Sequence, residues 1–286
     1  LADRGDLELI ILSDELRKDI NARHEAINSA DIAFLCLPDA AAIEAVSLVE
    51  NDTTAIIDTS TAHRTSEGWT YGFPELRGQR EKIAVSKRIA NPGCHATGFI
   101  ALVAPLVQAG VISEDALLSA FSLTGYSGGG KKMIAEYEGE GRDVLLDAPR
   151  QYGLSQSHKH LPEMAKVCGI KNLPVFCPIV GDFYSGMEVT VPLFASQIGG
   201  TLDDIRRIYA EYYTKGLVSY AESDEGGFLS AGALSGRDDL KISAYGNNDR
   251  IILTARFDNL GKGASGAAIQ NMNILLGVDE KTGLVI

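Results

Sequence analysis

The chain of 286 residues is poor in cysteine, and its four thiols (Cys36, Cys94, Cys168 and Cys177) include no CxxC pair. Disulfide frameworks and structural zinc clusters need closely spaced thiols, so reduced cysteines in a cytoplasmic compartment are expected. Basic residues are also in short supply: 26 Lys and Arg against 38 Asp and Glu leave a formal charge of −12. That balance argues against a nucleic-acid or anionic-membrane partner, since both are bound by cations that neutralise phosphates. No apolar run reaches the length of a bilayer, and no secretory leader is read. Internal repeats and low-complexity tracts are absent as well. What remains, 45% apolar and 22% charged residues, is the composition of a folded chain large enough for two domains.

The first ninety residues alternate short apolar runs with helical stretches: Leu7 to Leu12, a polar helix from about Asp14 to Asn28, Ile32 to Leu37, Asp39 to Val49, then Ala55 to Ile57. This is the βαβ rhythm of a parallel sheet with helices on its faces. After Cys94 the rhythm changes. Met187, Val189, Val191 and Leu193 alternate with Glu188 and Thr190, which predicts a half-buried antiparallel strand. Lys241 to Tyr245 and Arg250 to Arg256 read as further strands of a mixed α+β region. From Ala264 onward Ala268, Ile269, Met272, Leu275 and Leu276 recur at helical spacing, an apolar stripe expected to pack on the first domain.

Asn91-Pro92-Gly93-Cys94 places a thiol on a tight turn before an apolar helical run. There the unpaired N–H groups and the positive dipole end favour a thiolate, the nucleophile of covalent acyl chemistry; a buried structural cysteine is the alternative. Asp58-Thr59-Ser60-Thr61-Ala62-His63-Arg64 puts a polar cluster at the carboxyl end of a buried strand, where open α/β sheets bind ligands. Arg64 suits a carboxylate or phosphate, with capping of the next segment by Asp58, Ser60 and Thr61 as the equal alternative. Cys36-Leu37-Pro38 ends the preceding strand at the same edge. In Thr124 to Lys132, Ser127, Gly128, Gly129 and Gly130 form a flexible loop suited to turning N–H groups toward an anion, or else a mobile linker; the spacing is not that of a Walker loop. His158 and His160 precede a helix start with Pro162 in its first turn, and either ring suits proton exchange with a carbonyl or activation of Cys94. A zinc site built from Cys94, His95, His158 and His160 lacks the usual spacings. His24 and His63 have no special context beyond their segments, and Trp69 reads as aromatic packing.

Taken in order, Cys36-Leu37-Pro38, Ile57 to Ser60 with Arg64, Tyr71-Gly72-Phe73-Pro74-Glu75-Leu76, Asn91 to Cys94, Gly125 to Lys132, His158-Lys159-His160-Leu161-Pro162-Glu163 and Asp258-Asn259-Leu260-Gly261-Lys262-Gly263-Ala264 resemble the short (type 2) branch of N-acetyl-γ-glutamyl-phosphate reductase. The resemblance implies an α/β fold: a Rossmann-like dinucleotide-binding domain over residues 1–93 and 264–286, and a semialdehyde dehydrogenase-like α+β catalytic and dimerisation domain over 94–263. It implies NADPH-dependent reduction of N-acetyl-glutamyl 5-phosphate to N-acetyl-glutamate 5-semialdehyde through a cysteine thioester, in arginine biosynthesis, by a homo-oligomer (dimer or tetramer) without a metal. Carried over by motif, Cys94 is the nucleophile and the paired histidines hold the acid/base, His160 preferred over His158. Ser127, Gly128, Gly129, Gly130, Pro38 and Asn271 border NADP, while Arg64 and Ser60 lie near the substrate.

Three departures accompany it. The family's first strand and glycine fingerprint are expected before Leu1, which is not a Met, so an upstream segment is expected. His95 stands where the longer branch commonly has tyrosine. Ser13 and Arg17 suit a 2′-phosphate, but Asp14 and Glu15 beside them repel one. Aspartate-semialdehyde dehydrogenase is the rival enzyme, and a non-catalytic cofactor-sensing or scaffold protein of the same fold is the rival from another class.

Overall fold

Short apolar runs separated by helices form a parallel sheet in the first part of the chain, as their spacing requires. The computed structural model describes residues 1–2, 4–222 and 224–286 and divides them into two units, 1–92 with 268–284 and 93–267 with 285–286. In the first unit, helix α1 (Ile20–Ser29) starts where the Asp19 carboxylate accepts from the Ala22 N–H. There follow β1 (Ile32–Leu35), α2 (Asp39–Ser47), β2 (Ala55–Asp58), β3 (Thr70–Tyr71), α3 (Gln79–Val85) and β4 (Arg88–Ala90), with the strands in the order β1-β2-β4-β3, all parallel. Strand β2 is buried along its whole length, the pattern of a parallel strand covered on both faces.

Two expectations fail here. Leu7 to Leu12 forms no strand: it has no ladder partner among the described residues, and Ile11 is 80% exposed. An apolar run becomes a strand only when a neighbour takes up its backbone groups, which composition alone does not supply. The polar helix begins late, because a 3-10 turn at Leu16–Lys18 precedes the Asp19 cap.

The second unit comprises α4 (Cys94–Gln108), β5 (Ser119–Gly125), α5 (Gly130–Glu138), β6 (Arg150–Gln151), α6 (Leu161–Cys168), β7 (Val175–Gly181), β8 (Met187–Phe194), α7 (Leu202–Tyr212), β9 (Val218–Tyr220), β10 (Leu240–Gly246) and β11 (Arg250–Phe257). Its seven strands lie in the order β6-β7-β5-β8-β11-β10-β9, with β8 antiparallel to both β5 and β11, as the alternation of Met187 to Leu193 predicted. Helix α4 packs on β8, β11, α6 and α7. It is buried from His95 to Leu106, a helix apolar on every side. Gly98 sets how close it comes: a Cβ there would lie 2.5 Å from Val189 Cγ2 and 2.9 Å from the Phe257 ring. Pro105 inside the helix has no N–H for the Ala101 carbonyl, and the Tyr213 hydroxyl donates to that oxygen at 2.8 Å instead. The Tyr209 hydroxyl donates likewise to the Leu102 carbonyl at 2.7 Å.

A π-turn at Gly261–Ser265 leads into α8 (Gly266–Leu275). Ala268 and Met272 join Ile57, Ile83 and Ile89 in the core of the first unit, with Ile269 and Leu275 at its margin, so the apolar stripe packs where it was expected. Leu276 lies beyond the helix end and is exposed.

Candidate active site

Cys94 is the first residue of α4, capped by Gly93 in extended conformation, so it stands among N–H groups that have no partner within the helix. The Gly93 carbonyl accepts from both the N–H and the hydroxyl of Thr97, while the Gly93 N–H donates to Glu163 Oε1 at 2.8 Å. Glu163 is 1% exposed and belongs to α6, which starts just after His160 with Pro162 in its first turn, as the motif predicted. One hydrogen bond therefore ties the helix that follows the paired histidines to the helix that begins with the thiol.

Three imidazoles gather beside this junction. The His158 and His160 rings meet edge to face at 4.7 Å between centroids, and each lies 5.6 Å from His95. Phe176 walls the cluster, 5.2 Å from both His95 and His158. His95, whose role the sequence left open, is buried with Nδ1 2.6 Å from Ser122 Oγ and Nε2 2.6 Å from the Tyr152 hydroxyl. Burial holds His95 down to about 3, and the neighbouring His158 adds to the effect. Burial also lowers His158, with Lys159 contributing. The Tyr152 phenol is pushed up by burial and then by the charge of Cys94. The site thus holds a cysteine sulfur at a helix N-terminus beside the neutral His95 ring and the paired His158 and His160 rings, an arrangement suited to nucleophilic attack and proton exchange.

Three residues of the Asp258 to Ala264 motif surround this centre. A Cβ at Gly263 would come 3.0 Å from Cys94 Cβ, so the glycine lets the π-turn back the thiol closely without crowding it. Asp258 secures that turn by accepting from the N–H groups of Leu260, Gly261 and Gly236 and from Ser185 Oγ. Asn259 donates to Ser127 Oγ at 2.9 Å and accepts from the Gly186 N–H. The glycine loop is accordingly an ordered 3-10 turn (Tyr126–Gly129) rather than a mobile linker: the N–H groups of Tyr126 and Ser127 donate to the Phe183 and Tyr184 carbonyls. Gly128 and Gly129 complete the turn, and Gly130, at φ 72°, opens α5.

In the first unit, Pro38 caps α2. Ser60 donates from its N–H and its hydroxyl to the buried Asp58 carboxylate, which also holds His63 Nδ1 at 2.6 Å. His63 is stacked on Trp69 at 4.0 Å between ring centroids, so its contacts lie within the polar cluster of its own segment and the neighbouring aromatic. Arg64 donates to the Asn91 and Thr59 carbonyls. Asn271 donates to Gly72 O and Asn91 Oδ1, while its own Oδ1 is buried with no hydrogen-bond partner among the described residues. No group of three or more His, Cys, Asp or Glu among the described residues is arranged to hold a metal. Tyr152 and Ser122 are the members of the site that the sequence reading missed.

Two family models match the chain: "Semialdehyde dehydrogenase, NAD binding domain" over residues 12–86 and "Semialdehyde dehydrogenase, dimerisation domain" over 94–259. The sequence is 42% identical to N-acetyl-gamma-glutamyl-phosphate reductase 2 of Nostoc sp., covering 99% of this chain and 93% of that protein. It is 45% identical to the N-acetyl-gamma-glutamyl-phosphate reductase of Brucella ovis, over 97% of this chain and 93% of the relative. Among solved structures, aspartate semialdehyde dehydrogenase II of Vibrio cholerae, complexed with ASA, superposes with a TM-score of 0.69 at 15% identity, covering 87% of this chain and 80% of that one. A probable aspartate-semialdehyde dehydrogenase of Pseudomonas aeruginosa gives 0.66 at 17% identity, with the same two coverages. At that identity the structures share the fold, which bears out the expected pairing of a dinucleotide-binding domain with an α+β dimerisation domain.

Proposed function

Because the chain belongs to the N-acetyl-γ-glutamyl-phosphate reductase family, we propose that it carries out the reductive step of arginine biosynthesis by covalent catalysis at Cys94, converting N-acetyl-glutamyl 5-phosphate to N-acetyl-glutamate 5-semialdehyde. It is an oxidoreductase that uses a nicotinamide dinucleotide. The observation that carries the covalent route is the thiol at the start of a buried helix, with the His95, His158 and His160 rings gathered beside it.

His160 takes the proton of the Cys94 thiol, and the sulfur attacks the acyl carbon. The bond from that carbon to the phosphate oxygen breaks, phosphate leaves, and a thioester remains on Sγ. First-turn N–H groups of α4 hold the oxyanion as it forms. The hydride that turns the thioester into a thiohemiacetal is what a nicotinamide dinucleotide supplies when bound. His160, with His158 beside it, gives the proton it holds to the alkoxide oxygen as the thiohemiacetal forms and takes it back as the carbon–sulfur bond breaks, releasing the aldehyde and leaving Sγ as thiolate, an effect worth about 10²- to 10⁴-fold.

The residues present fit the cofactor. The buried, unpaired Oδ1 of Asn271 suits an amide N–H such as a nicotinamide carboxamide bears. Pro38 at the start of α2 and Ser127, Gly128, Gly129 and Gly130 at the ordered turn are its other proposed contacts, with Ser60 and Arg64 on the substrate side. NADP is the proposed form: among the described residues the Arg17 guanidinium pairs with exposed Asp14 alone, at 3.0 Å, a weak bond that a phosphate displaces. The dimerisation domain and the exposed Phe121, Phe194 and Ile252 on one sheet face support a homo-oligomer, dimer or tetramer. No helix among the described residues is long and apolar enough to cross a membrane, and a cytoplasmic location is proposed.

The test is phosphate-dependent reduction of NADP⁺ with N-acetylglutamate semialdehyde. Cys94→Ser is expected to abolish turnover while cofactor binding persists; full turnover by that variant sinks the covalent route.

A further inference from the structure

We propose that the Tyr152 hydroxyl is a further catalytic group, donating a hydrogen bond first to the Cys94 sulfur and then to the oxygen of the acyl group it carries, and that His95 is the positioning residue that aims it. The proposal rests on the reading of Cys94 as nucleophile.

His95 directly follows Cys94 in the first turn of α4, and each of its ring nitrogens lies 2.6 Å from a hydroxyl, Ser122 on one side and Tyr152 on the other. A neutral imidazole carries one N–H, so the buried ring donates to one hydroxyl and accepts from the other. With the proton on Nδ1, the phenol must donate into Nε2 and has nothing left for the sulfur. With it on Nε2, the Ser122 hydroxyl donates to Nδ1, Nε2–H donates to the phenol oxygen, and the Tyr152 proton is free to point at Cys94. A thiolate selects the second arrangement, because an anion draws a neighbouring O–H toward itself and the relay polarises in one direction. His95 directly follows Cys94, so the phenol bound to its Nε2 is held at the end of α4 where the sulfur stands.

The surroundings hold the relay still. His95 is 3% exposed, with Phe176 5.2 Å from its ring. Tyr152 is anchored by its N–H to the Pro178 carbonyl, next to the β6–β7 pairing, and its ring packs on the cluster of Tyr137, Leu146 and Val180. The Tyr152 ring also lies 6.1 Å from His95 and 6.2 Å from His158 between centroids, and its hydroxyl is the part hydrogen-bonded in the site.

Tyr152→Phe removes that one oxygen and keeps the backbone anchor. Alkylation of Cys94 by iodoacetamide, followed at the Cys94 peptide by mass spectrometry across pH without substrate, is expected to shift its midpoint up by about one unit. In steady state kcat is expected to fall on the order of 10²-fold, with KM for the semialdehyde nearly unchanged. His95→Phe should reproduce both effects and add little in the Tyr152→Phe background, whereas His95→Gln, which keeps a donor, should restore most of kcat. An unchanged midpoint with unchanged kcat in Tyr152→Phe overturns the catalytic role, and fully additive losses in the double variant overturn the positioning role. Failure of the nucleophile assignment shows separately, as turnover retained by Cys94→Ser.

Discussion

Acid should destabilise this fold through His95. In the folded chain burial holds the ring down to about 3, whereas an unfolded histidine titrates near 6.5. Between those values the unfolded chain binds a proton that the folded ring refuses, so stability present above about 6.5 drains away as the pH falls toward 3. Each unit inside the window costs about 1.4 kcal/mol, and moving from pH 7.5 to 5.0 removes about 2 kcal/mol through this residue. Urea unfolding followed by circular dichroism at both pH values, on the native protein and on His95→Gln, isolates the effect. His158 is lowered by burial too, but it is present in both proteins, so its share largely cancels in the comparison. The native protein is expected to lose about 2 kcal/mol more than the variant; parallel losses would show that His95 is not a buried neutral ring.

Two stability predictions follow from α4. Tyr213→Phe leaves the Ala101 carbonyl without the donor that replaces the missing Pro105 N–H, and should cost about 1–3 kcal/mol by urea unfolding; in a Pro105→Ala background, where the backbone bond is restored, the same change should cost measurably less. Gly98→Ala drives a methyl into Val189 and Phe257 and should lose about 1–3 kcal/mol, while Gly5→Ala, with nothing within 4 Å of its added carbon, should lose none. Equal effects at the two glycines would contradict the packing described for α4.

The residues of the candidate site were only partly legible in the chain. Cys94 and the His158–His160 pair announce themselves through local signals, a turn before an apolar helix and a proline in a first turn. Ser122 and Tyr152 carry no such mark. Ser122 is an inward position in the middle of β5, and Tyr152 follows a two-residue strand. They reach His95 across 27 and 57 positions of sequence, and Glu163 reaches Gly93 across 70. Strand order, not spacing, sets such encounters. Leu7 to Leu12 makes the converse point, since an apolar run of the right composition forms no strand where no edge pairs with it.

By itself the amino-acid order determined which segments are helices and which faces they bury. Periodicity records the exposure of each residue along an element, and a turn such as Asn91 to Gly93 before an apolar run marks where a helix begins. It determined as well that a thiol would stand at a helix start, because that needs only neighbouring residues. Tertiary structure alone decided that His95 is neutral, that Tyr152 stands in hydrogen bond with it, and that Asp258 and Asn259 clasp the turns around the thiol. Those outcomes depend on burial and on hydrogen bonds between residues far apart in sequence, which exist only once the sheet has brought its strands together.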